Sequence, residues 1–186
     1  EGHPMRYALL GTRSGIRVSR VSLGAMRFGT DTDKAVRAIR AAIDGGVNYI
    51  DTSPHYCDDK SESILGEALQ DGYRERVYLS SKCSLPRGAK LTDYKAARLR
   101  KVIDQSLKRL KTDYLDFFQL WLVYSYENYQ AMCRKGYHLA AIREAMRDGV
   151  VRRTGITGHP PVGDFPRMFA NEIFEVCTLS FNYLQP

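Results

Sequence analysis

Four side chains that carry charge or offer a hydrogen-bonding group fall at or just beyond the ends of predicted strands: Asp51, Lys82, Trp121 and Thr157. A carboxylate and an ammonium group that meet at such a place can form a charge-assisted hydrogen bond. Asp51 and Lys82 therefore predict either a structural ion pair or part of a catalytic site. Trp121 offers one indole N–H donor and no acceptor.

The elements that would position these side chains alternate between strand and helix. Apolar runs bounded by turn residues predict strands at 21–25, 47–51, 77–81, 114–120, 150–156 and 174–181. Apolar residues at helical spacing predict five helices. The first runs from about Asp33 and ends at Gly45–Gly46, the second begins at Ser61, and the third covers 99–110. The fourth ends before Gly149, and a short fifth helix lies near Arg167. Asp31 or Thr32 is expected to cap the first helix. A hairpin at 7–10 and 16–18 precedes these elements.

Six strands that alternate with helices predict an α/β fold with a parallel sheet. Two forms of sheet are compatible with this pattern, an open doubly wound sheet and a (β/α)8 TIM barrel. An open sheet that binds a dinucleotide usually has a G-x-G-x-x-G motif after its first strand, and Gly24 and Gly29 do not have that spacing. Polar residues at the carboxyl ends of several strands are typical of the barrel, which is the fold that we expect.

Charge and composition narrow the classes of function. The chain has 186 residues and a net charge of +7, from 28 basic and 21 acidic residues. The densest basic run, from Arg98 to Lys111, lies outside an apolar helical stripe. A solvated helix face explains this run better than a phosphate-bearing ligand does, and nucleic acid is the least favoured partner. No apolar stretch has the length of a membrane span.

The four cysteines stand alone, at Cys57, Cys83, Cys133 and Cys177. Without a CxxC pair they indicate neither a zinc site nor a redox dithiol, and such usage is typical of a reducing, cytoplasmic protein. The chain opens without a signal-peptide pattern. Residues 1–4 look like a cloning remnant, and we expect the folded domain to begin at Met5.

Four sequence segments, in this order, resemble the motifs of the aldo-keto reductase superfamily. They are SLGAM at 22–26, GVNYIDTSPHY and SESILGEAL at 46–56 and 61–69, VYLSSK at 77–82, and SLKRLKTDYLDFFQL at 106–120. The opening hairpin is similar to the plug that such barrels carry at their N-terminal end, so the resemblance runs from Met5 to Pro186. It implies a single barrel domain over 5–186, with about six βα units present and its C-terminal part absent.

The resemblance implies reversible reduction of an aldehyde or a ketone by NADPH or NADH, without a metal ion. Asp51, Tyr56 and Lys82 match the catalytic residues of the family. A carbonyl accepts hydride more readily as its oxygen gains a proton, and Tyr56 would be the general acid. An ordinary phenol has a pKa near ~10 and is a weak acid at neutral pH. We therefore expect Lys82 to lower the pKa of Tyr56 and Asp51 to hold Lys82 in place.

The resemblance also implies a nicotinamide site. Its matching positions are Gly24, Ala25, Met26, Asp51, Thr157, Gly158 and Thr178. Thr157 and Gly158 fall where the family has a serine and an asparagine, so the hydroxyl is kept and the amide is lost. Thr178 stands where the family usually has a glutamine, and an ordinary strand residue is an equal explanation. Asn182 recurs in the family, and a turn role explains it equally well.

The fourth catalytic position of the family is a histidine, and this chain has Trp121 there. Trp121 cannot shuttle a proton. It either changes the substrate or the reaction, or it forms a wall of the substrate pocket together with Met26. His55, beside Tyr56, either substitutes for the missing imidazole or is a loop residue that faces solvent.

Further residues near these positions have two explanations each. Cys57 and Cys83 are expected to line the pocket, and redox sensing is the less favoured alternative. Tyr124, Tyr126 and Tyr129 form an aromatic loop that either walls the substrate site or packs between helices.

The chain is short for the fold, because a (β/α)8 barrel typically takes about 250 residues. We expect the sequence to be the retained part of a longer protein. The alternatives are a second chain that completes the barrel and a natural short form without cofactor. An iron–sulfur cluster, which some family members carry in a cysteine-rich extension, is not indicated in this chain. Two other functions stay open: a noncatalytic or regulatory binding protein on this scaffold, and a nicotinamide-using isomerase or lyase.

Overall fold

A computed structural model of the chain describes residues 4–11, 14–29, 31–83, 90, 95–170 and 173–179. Six parallel strands form one sheet, and their order in the sheet follows their order in the sequence. The sheet curls as part of a (β/α) barrel, with helices between the strands. This arrangement confirms the predicted fold class. An antiparallel hairpin, also predicted, pairs Tyr7 with Ser19.

The bounds of the elements are as follows. The hairpin strands are β1 (Tyr7–Leu9) and β2 (Arg17–Ser19), and the parallel strands are β3 (Leu23–Gly24), β4 (Tyr49–Asp51), β5 (Tyr78–Lys82), β6 (Leu115–Val123), β7 (Val151–Gly158) and β8 (Val176–Leu179). The α-helices are α1 (Thr32–Asp44), α2 (Ser61–Ala68), α3 (Ala96–Leu110), α4 (Tyr126–Cys133), α5 (His138–Arg147) and α6 (Phe165–Phe169).

The first helix begins and ends where its sequence indicates. Asp31 Oδ1 accepts a hydrogen bond from Lys34 N at 2.9 Å, so Asp31 is the cap of α1. Gly45 ends the helix. Ile39 and Ile43, one helical turn apart, are buried and pack into the main core.

Strands β6 and β7 continue past their predicted ends, as far as Val123 and Gly158. The extension of β6 contains an irregularity, because Leu122 has a φ of 60° and the pairing with β7 shifts at this point. Trp121 and Thr157 therefore lie inside their strands rather than beyond them.

Residues 126–133 form α4, where the sequence indicated an aromatic loop. The buried ring of Tyr129 packs edge-on against Phe174, with 6.0 Å between ring centres, and against Tyr126 at 5.7 Å. Packing between elements is therefore the explanation for Tyr126 and Tyr129. Tyr124 stays exposed and stacks on His159.

The main core joins the sheet to the helices, and its buried apolar residues come from all six α-helices as well as from the strands. A smaller buried cluster, Ile16, Tyr49, Phe117 and Val176, links the hairpin to strands β4, β6 and β8. Within the described part of the chain, no helix combines the length and the apolar character that a membrane span requires.

Helices α2 and α3 cross at Gly66. A Cβ atom on Gly66 would lie 2.3 Å from the carbonyl oxygen of Arg109 and 3.1 Å from the carbonyl carbon of Leu110. The absence of a side chain therefore allows the two helix backbones to approach.

Replacing Gly66 with alanine is expected to lower the free energy of unfolding by about 1–3 kcal/mol, because the new methyl group overlaps backbone that cannot rotate away. Urea denaturation measures the change. Gly163→Ala is the matched control, since a Cβ there meets no atom within 4 Å. Equal midpoints for the two variants would contradict the close helix crossing.

Candidate active site

The parallel sheet brings Asp51 and Lys82 together at its carboxyl edge. Asp51 is the last residue of β4, and Lys82 is the last residue of the neighbouring strand β5. Asp51 Oδ2 and Lys82 Nζ form a salt bridge in which the lysine side chain is buried. An ammonium group away from water requires such a partner.

Tyr56 and Trp121 lie against this ion pair. Lys82 Nζ is 5.1 Å from the centre of the Tyr56 ring, which is a cation–π distance. The rings of Tyr56 and Trp121 meet edge-on, with their centres 6.2 Å apart and their planes at 84°. The structure thus brings together four of the predicted site residues, from three strands and a loop.

Burial dominates the acid–base properties of these groups. It raises the pKa of Asp51 and lowers the pKa of Lys82, and the attraction between the two charges opposes both shifts. Burial, assisted by the Asp51 charge, raises the pKa of Tyr56 to about 12. The expectation that Lys82 lowers the pKa of Tyr56 is therefore corrected: desolvation of the phenol and the charge of Asp51 both raise that pKa.

The loop that carries Tyr56 is strained. Residues 57–59 have φ angles of 54°, 52° and 65°, in the left-handed region that residues with a Cβ rarely adopt. Two hydrogen bonds of 3.1 Å hold this run, from Lys60 N to Cys57 O and from Phe28 N to Cys57 Sγ. Such strain persists only where the surroundings hold it, and here it directly follows Tyr56.

Ser61, at the start of α2, fixes the ends of β3 and β4 relative to each other. Its Oγ donates to Ala25 O at 2.7 Å and lies 2.8 Å from Thr52 Oγ1. Ala25 N in turn donates to Asp51 O at 2.8 Å. The segment after β3 is thereby held beside Asp51.

A cavity of about 300 Å³ opens beside Tyr56. Its lining residues are Met26, Arg27, Phe28, His55, Tyr56, Cys57 and Asp58. Two residues predicted for the substrate pocket, Met26 and His55, are among them. His55 is partly exposed, and its Nδ1 lies 2.8 Å from Asp59 Oδ1.

Glu62 supports β5 from the helix side. This carboxylate is fully buried, accepts a hydrogen bond from Ser81 Oγ at 2.8 Å and forms a salt bridge with Arg109 at 2.7 Å. Ser81 precedes Lys82, so the network holds the strand next to the ammonium group. The sequence marks Glu62 only as part of a helix start.

Gln119 is a site residue that sequence reasoning missed. Its side chain is fully buried, and Nε2 donates to Asp51 Oδ1 at 3.2 Å and to Ser80 Oγ at 2.7 Å. Its Oε1 accepts a hydrogen bond from Thr178 Oγ1 at 3.1 Å. The sequence did contain one signal: Gln119 is an amide in an apolar strand, two residues before Trp121. Alternation along a strand places these two side chains on one face, so Gln119 could be expected near the site.

Part of the predicted nicotinamide site leaves room for a ligand. A Cβ atom on the exposed Gly24 would meet no atom within 4 Å, so open space lies over the end of β3. Ala25 is buried next to it, and Met26 lines the cavity. Thr157 lies near the carboxyl end of β7. Asn182 lies outside the described residues.

Two other predicted nicotinamide residues make close contacts with the protein, although Thr178 also lines a second cavity of about 280 Å³ together with Asp51. Thr178 commits its hydroxyl to Gln119. Gly158 packs against β6, where a Cβ atom would lie 1.9 Å from Val123 O. A side-chain amide at position 158 would therefore collide with the extension of β6.

The cysteines near the site differ in environment. Cys83 is fully buried, its Sγ accepts a hydrogen bond from Trp121 N at 3.1 Å, and burial raises the pKa of its thiol to about 12. Cys57 lines the cavity as expected. Across the described ranges, no three His, Cys, Asp or Glu side chains gather in a way that could hold a metal ion.

Known proteins resemble this chain in both sequence and structure. A family model described as the aldo/keto reductase family matches residues 20–184. The uncharacterized oxidoreductase YqkF of Bacillus subtilis is 34% identical over 161 residues, which are 84% of this chain and 50% of that protein.

Two solved structures show the same relationship. An aldo-keto reductase from Bacillus halodurans in its holo form has a TM-score of 0.75 and 25% identity, covering 95% of this chain and 58% of its own. An aldo-keto reductase from Klebsiella pneumoniae in complex with NADPH has a TM-score of 0.63 and 28% identity, covering 81% and 49%. The chain spans half or less of the length of the first curated relatives that it matches.

Replacing Gly158 with alanine is expected to lower the free energy of unfolding by at least about 1 kcal/mol, because the added Cβ overlaps the backbone of β6. Thermal and urea denaturation measure the loss. Gly29→Ala is the control, since a Cβ there meets no atom within 4 Å. A Gly158→Ala protein as stable as this control would show that the strands do not approach this closely.

Proposed function

Because the chain belongs to the aldo/keto reductase family, we propose that this protein reduces an aldehyde or a ketone with NADPH or NADH. The observation that carries the proposal is the contact of Tyr56 with the Lys82–Asp51 ion pair beside an open cavity. A phenol, an ammonium group and a carboxylate in this arrangement suit one step, delivery of a proton to a carbonyl oxygen. A cavity of about 300 Å³ suits a small substrate.

Tyr56 is the proton donor in this proposal. Its raised pKa, about 12, keeps the phenol protonated at neutral pH, so the proton is available when substrate is present. Transfer of the proton leaves negative charge on the phenol oxygen. Lys82 stabilises that charge more than it stabilises the neutral phenol, and such a difference lowers the barrier of the step.

Asp51 acts on Tyr56 through Lys82. Its salt bridge keeps the buried ammonium group charged and in place. Its own negative charge also opposes ionisation of Tyr56, and therefore contributes to the raised pKa of the phenol. Asp51 is accordingly a positioning residue for Lys82, and the cation is the group that assists proton transfer.

NADPH or NADH, when bound, supplies the hydride. We assign its binding to the open space at Gly24, beside Ala25 and Met26, with the Thr157 hydroxyl available to its carboxamide. Asp51 borders the same edge. Thr178 and Gly158 do not fit this role well, because their contacts are with Gln119 and Val123.

Trp121 and His55 belong to the substrate side of the proposed site. The indole ring meets Tyr56 edge-on, and its N–H can hold the carbonyl oxygen that Tyr56 protonates. His55 lines the cavity together with Met26 and Phe28. Met26 and Phe28 suit a carbonyl compound with an apolar body, and Arg27 and Asp58 add charge to the same lining.

Changing Tyr56 to phenylalanine is expected to slow carbonyl reduction at least about 10²-fold, because the acid is removed and the ring is kept. The rate is measured as the oxidation of NADPH in the presence of each member of a panel of aldehydes and ketones. Binding of NADPH, followed by its fluorescence, is expected to stay unchanged. Tyr73→Phe, which removes a phenol that donates to Asp44 at 3.1 Å away from the site, is the matched control. Retained turnover in the Tyr56 variant would exclude it as the acid.

A second candidate is a noncatalytic binding or regulatory role on the same scaffold. It is supported by the protein contacts of Thr178 and Gly158, which reduce the side chains available to a carboxamide. Trp121, at the position of the catalytic histidine of the family, supports it as well. This candidate predicts binding of a ligand or partner without turnover.

Variants of Trp121 separate the two candidates. If the protein is a reductase, Trp121→Phe is expected to lower kcat/KM about tenfold, because the oxygen loses one hydrogen bond. NADPH affinity is expected to be unchanged. An inactive parent protein that gains carbonyl reduction on Trp121→His would instead support the noncatalytic candidate.

A further inference from the structure

A partly buried chain of hydrogen bonds crosses the inner face of the sheet. Thr178 on β8 donates to Gln119 on β6, Gln119 donates to Asp51 on β4, and Asp51 accepts from Lys82 on β5. We propose that Gln119 is a positioning residue that holds the Asp51 carboxylate in place for Lys82, with Thr178 setting the orientation of the Gln119 amide. The catalytic consequence of this assignment rests on the proposed reductase function.

The surroundings of Gln119 allow one orientation of its amide. Its oxygen faces the Thr178 hydroxyl, while its NH₂ group donates to both Asp51 and Ser80. A flipped amide would place its oxygen beside a carboxylate oxygen, and two acceptors in contact are costly in a buried site. The Thr178 hydroxyl favours the observed orientation because it donates to the amide oxygen.

Each oxygen of the Asp51 carboxylate accepts a hydrogen bond from a different side chain, and Ser80 also favours the charged form. Lys82 binds Oδ2 of Asp51, and Gln119 binds Oδ1. Rotation of the carboxylate would break one or both of these bonds, so its direction is fixed. Donors on both oxygens also favour the ionised form, against the burial that raises the pKa of Asp51.

Three of the other titratable groups around the pair stay neutral in acid. The phenols of Tyr49 and Tyr56, which face Asp51, and the thiol of Cys83, which faces Lys82, have raised pKa values and stay neutral. The fourth group is Glu62, which acts on Lys82 and is itself paired with Arg109. Loss of the Gln119 donor therefore acts chiefly on the protonation of Asp51, and it raises the pKa of that group.

The test compares the pH dependence of the wild type with that of Gln119→Leu. Loss of one hydrogen bond to a charged group is expected to raise the acid-side midpoint of kcat by about one pH unit. The alkaline side is expected to stay in place, because Asp51 is ionised on both sides of that step. Thr178→Val is expected to shift the acid-side midpoint in the same direction by a smaller amount. Thr178→Ser keeps the hydroxyl and is expected to give the wild-type pH profile.

A spectroscopic measurement makes the test independent of turnover. The ¹³C signal of the Asp51 carboxyl group, assigned by its loss in Asp51→Asn, is expected to titrate at higher pH in Gln119→Leu. A wild type without turnover would count against the proposed reductase, and the carboxyl titration would still decide the role of Gln119. The same Asp51 midpoint in the wild type and in folded Gln119→Leu would overturn the inference.

Thr154→Val is the matched control for a merely structural effect. It removes a buried hydroxyl that donates to Phe118 O at 2.8 Å on a strand of the same sheet, and it does not touch Asp51. It is expected to lower stability without moving either titration. If Gln119→Leu does not fold, the comparison of Thr178→Val with Thr178→Ser tests the inference. Identical Asp51 titration midpoints in these two variants would overturn the role of Thr178 and, with it, the inference.

Discussion

A lysine ammonium group buried in the protein interior is the constraint on which the site depends. Desolvation disfavours the charge on Lys82, and removal of Asp51 would leave that charge without its counter-ion. A well-packed apolar pair of similar volume would often serve stability as well or better. The proposed function therefore gives this ion pair a role that stability alone does not explain. The packing around the ion pair holds the Lys82 ammonium group in one position.

That support comes from both faces of the sheet. On the helix side, Glu62 of α2 holds Ser81 and is itself held by Arg109 of α3, so the close approach of the two helices at Gly66 also serves the end of β5. On the inner side, Gln119 holds Asp51. The cation and its counter-ion are thus carried by regular elements, whereas Tyr56 is carried by a strained loop.

Much of this could be predicted because a barrel sheet leaves a plain pattern, here six apolar runs in order with helical segments between them. Asp51, Tyr56 and Lys82 could be identified from motifs, although their roles rest on contacts. Gln119 could not, because a neutral amide inside an apolar strand carries no motif of its own. The pKa of Tyr56 depends on burial of the phenol and on the charge of Asp51, the partner of Lys82. Neither can be read from the local sequence. The need for a glycine at position 158 could not be predicted either. It arises from the backbone of β6 beyond the irregularity at Leu122, which is distant in sequence.

The left-handed run at 57–59 bears on the motion of the site. Each such residue costs on the order of 1–2 kcal/mol, which the hydrogen bonds of Cys57 with Phe28 and Lys60 help to offset. When those contacts loosen, the segment relaxes, so its amides should exchange with solvent through local openings rather than through global unfolding. Lys82 ends a strand that is paired on both sides, so we expect it not to share those openings. Tyr56 and Lys82 are thus expected to be exposed to solvent by openings of different frequency.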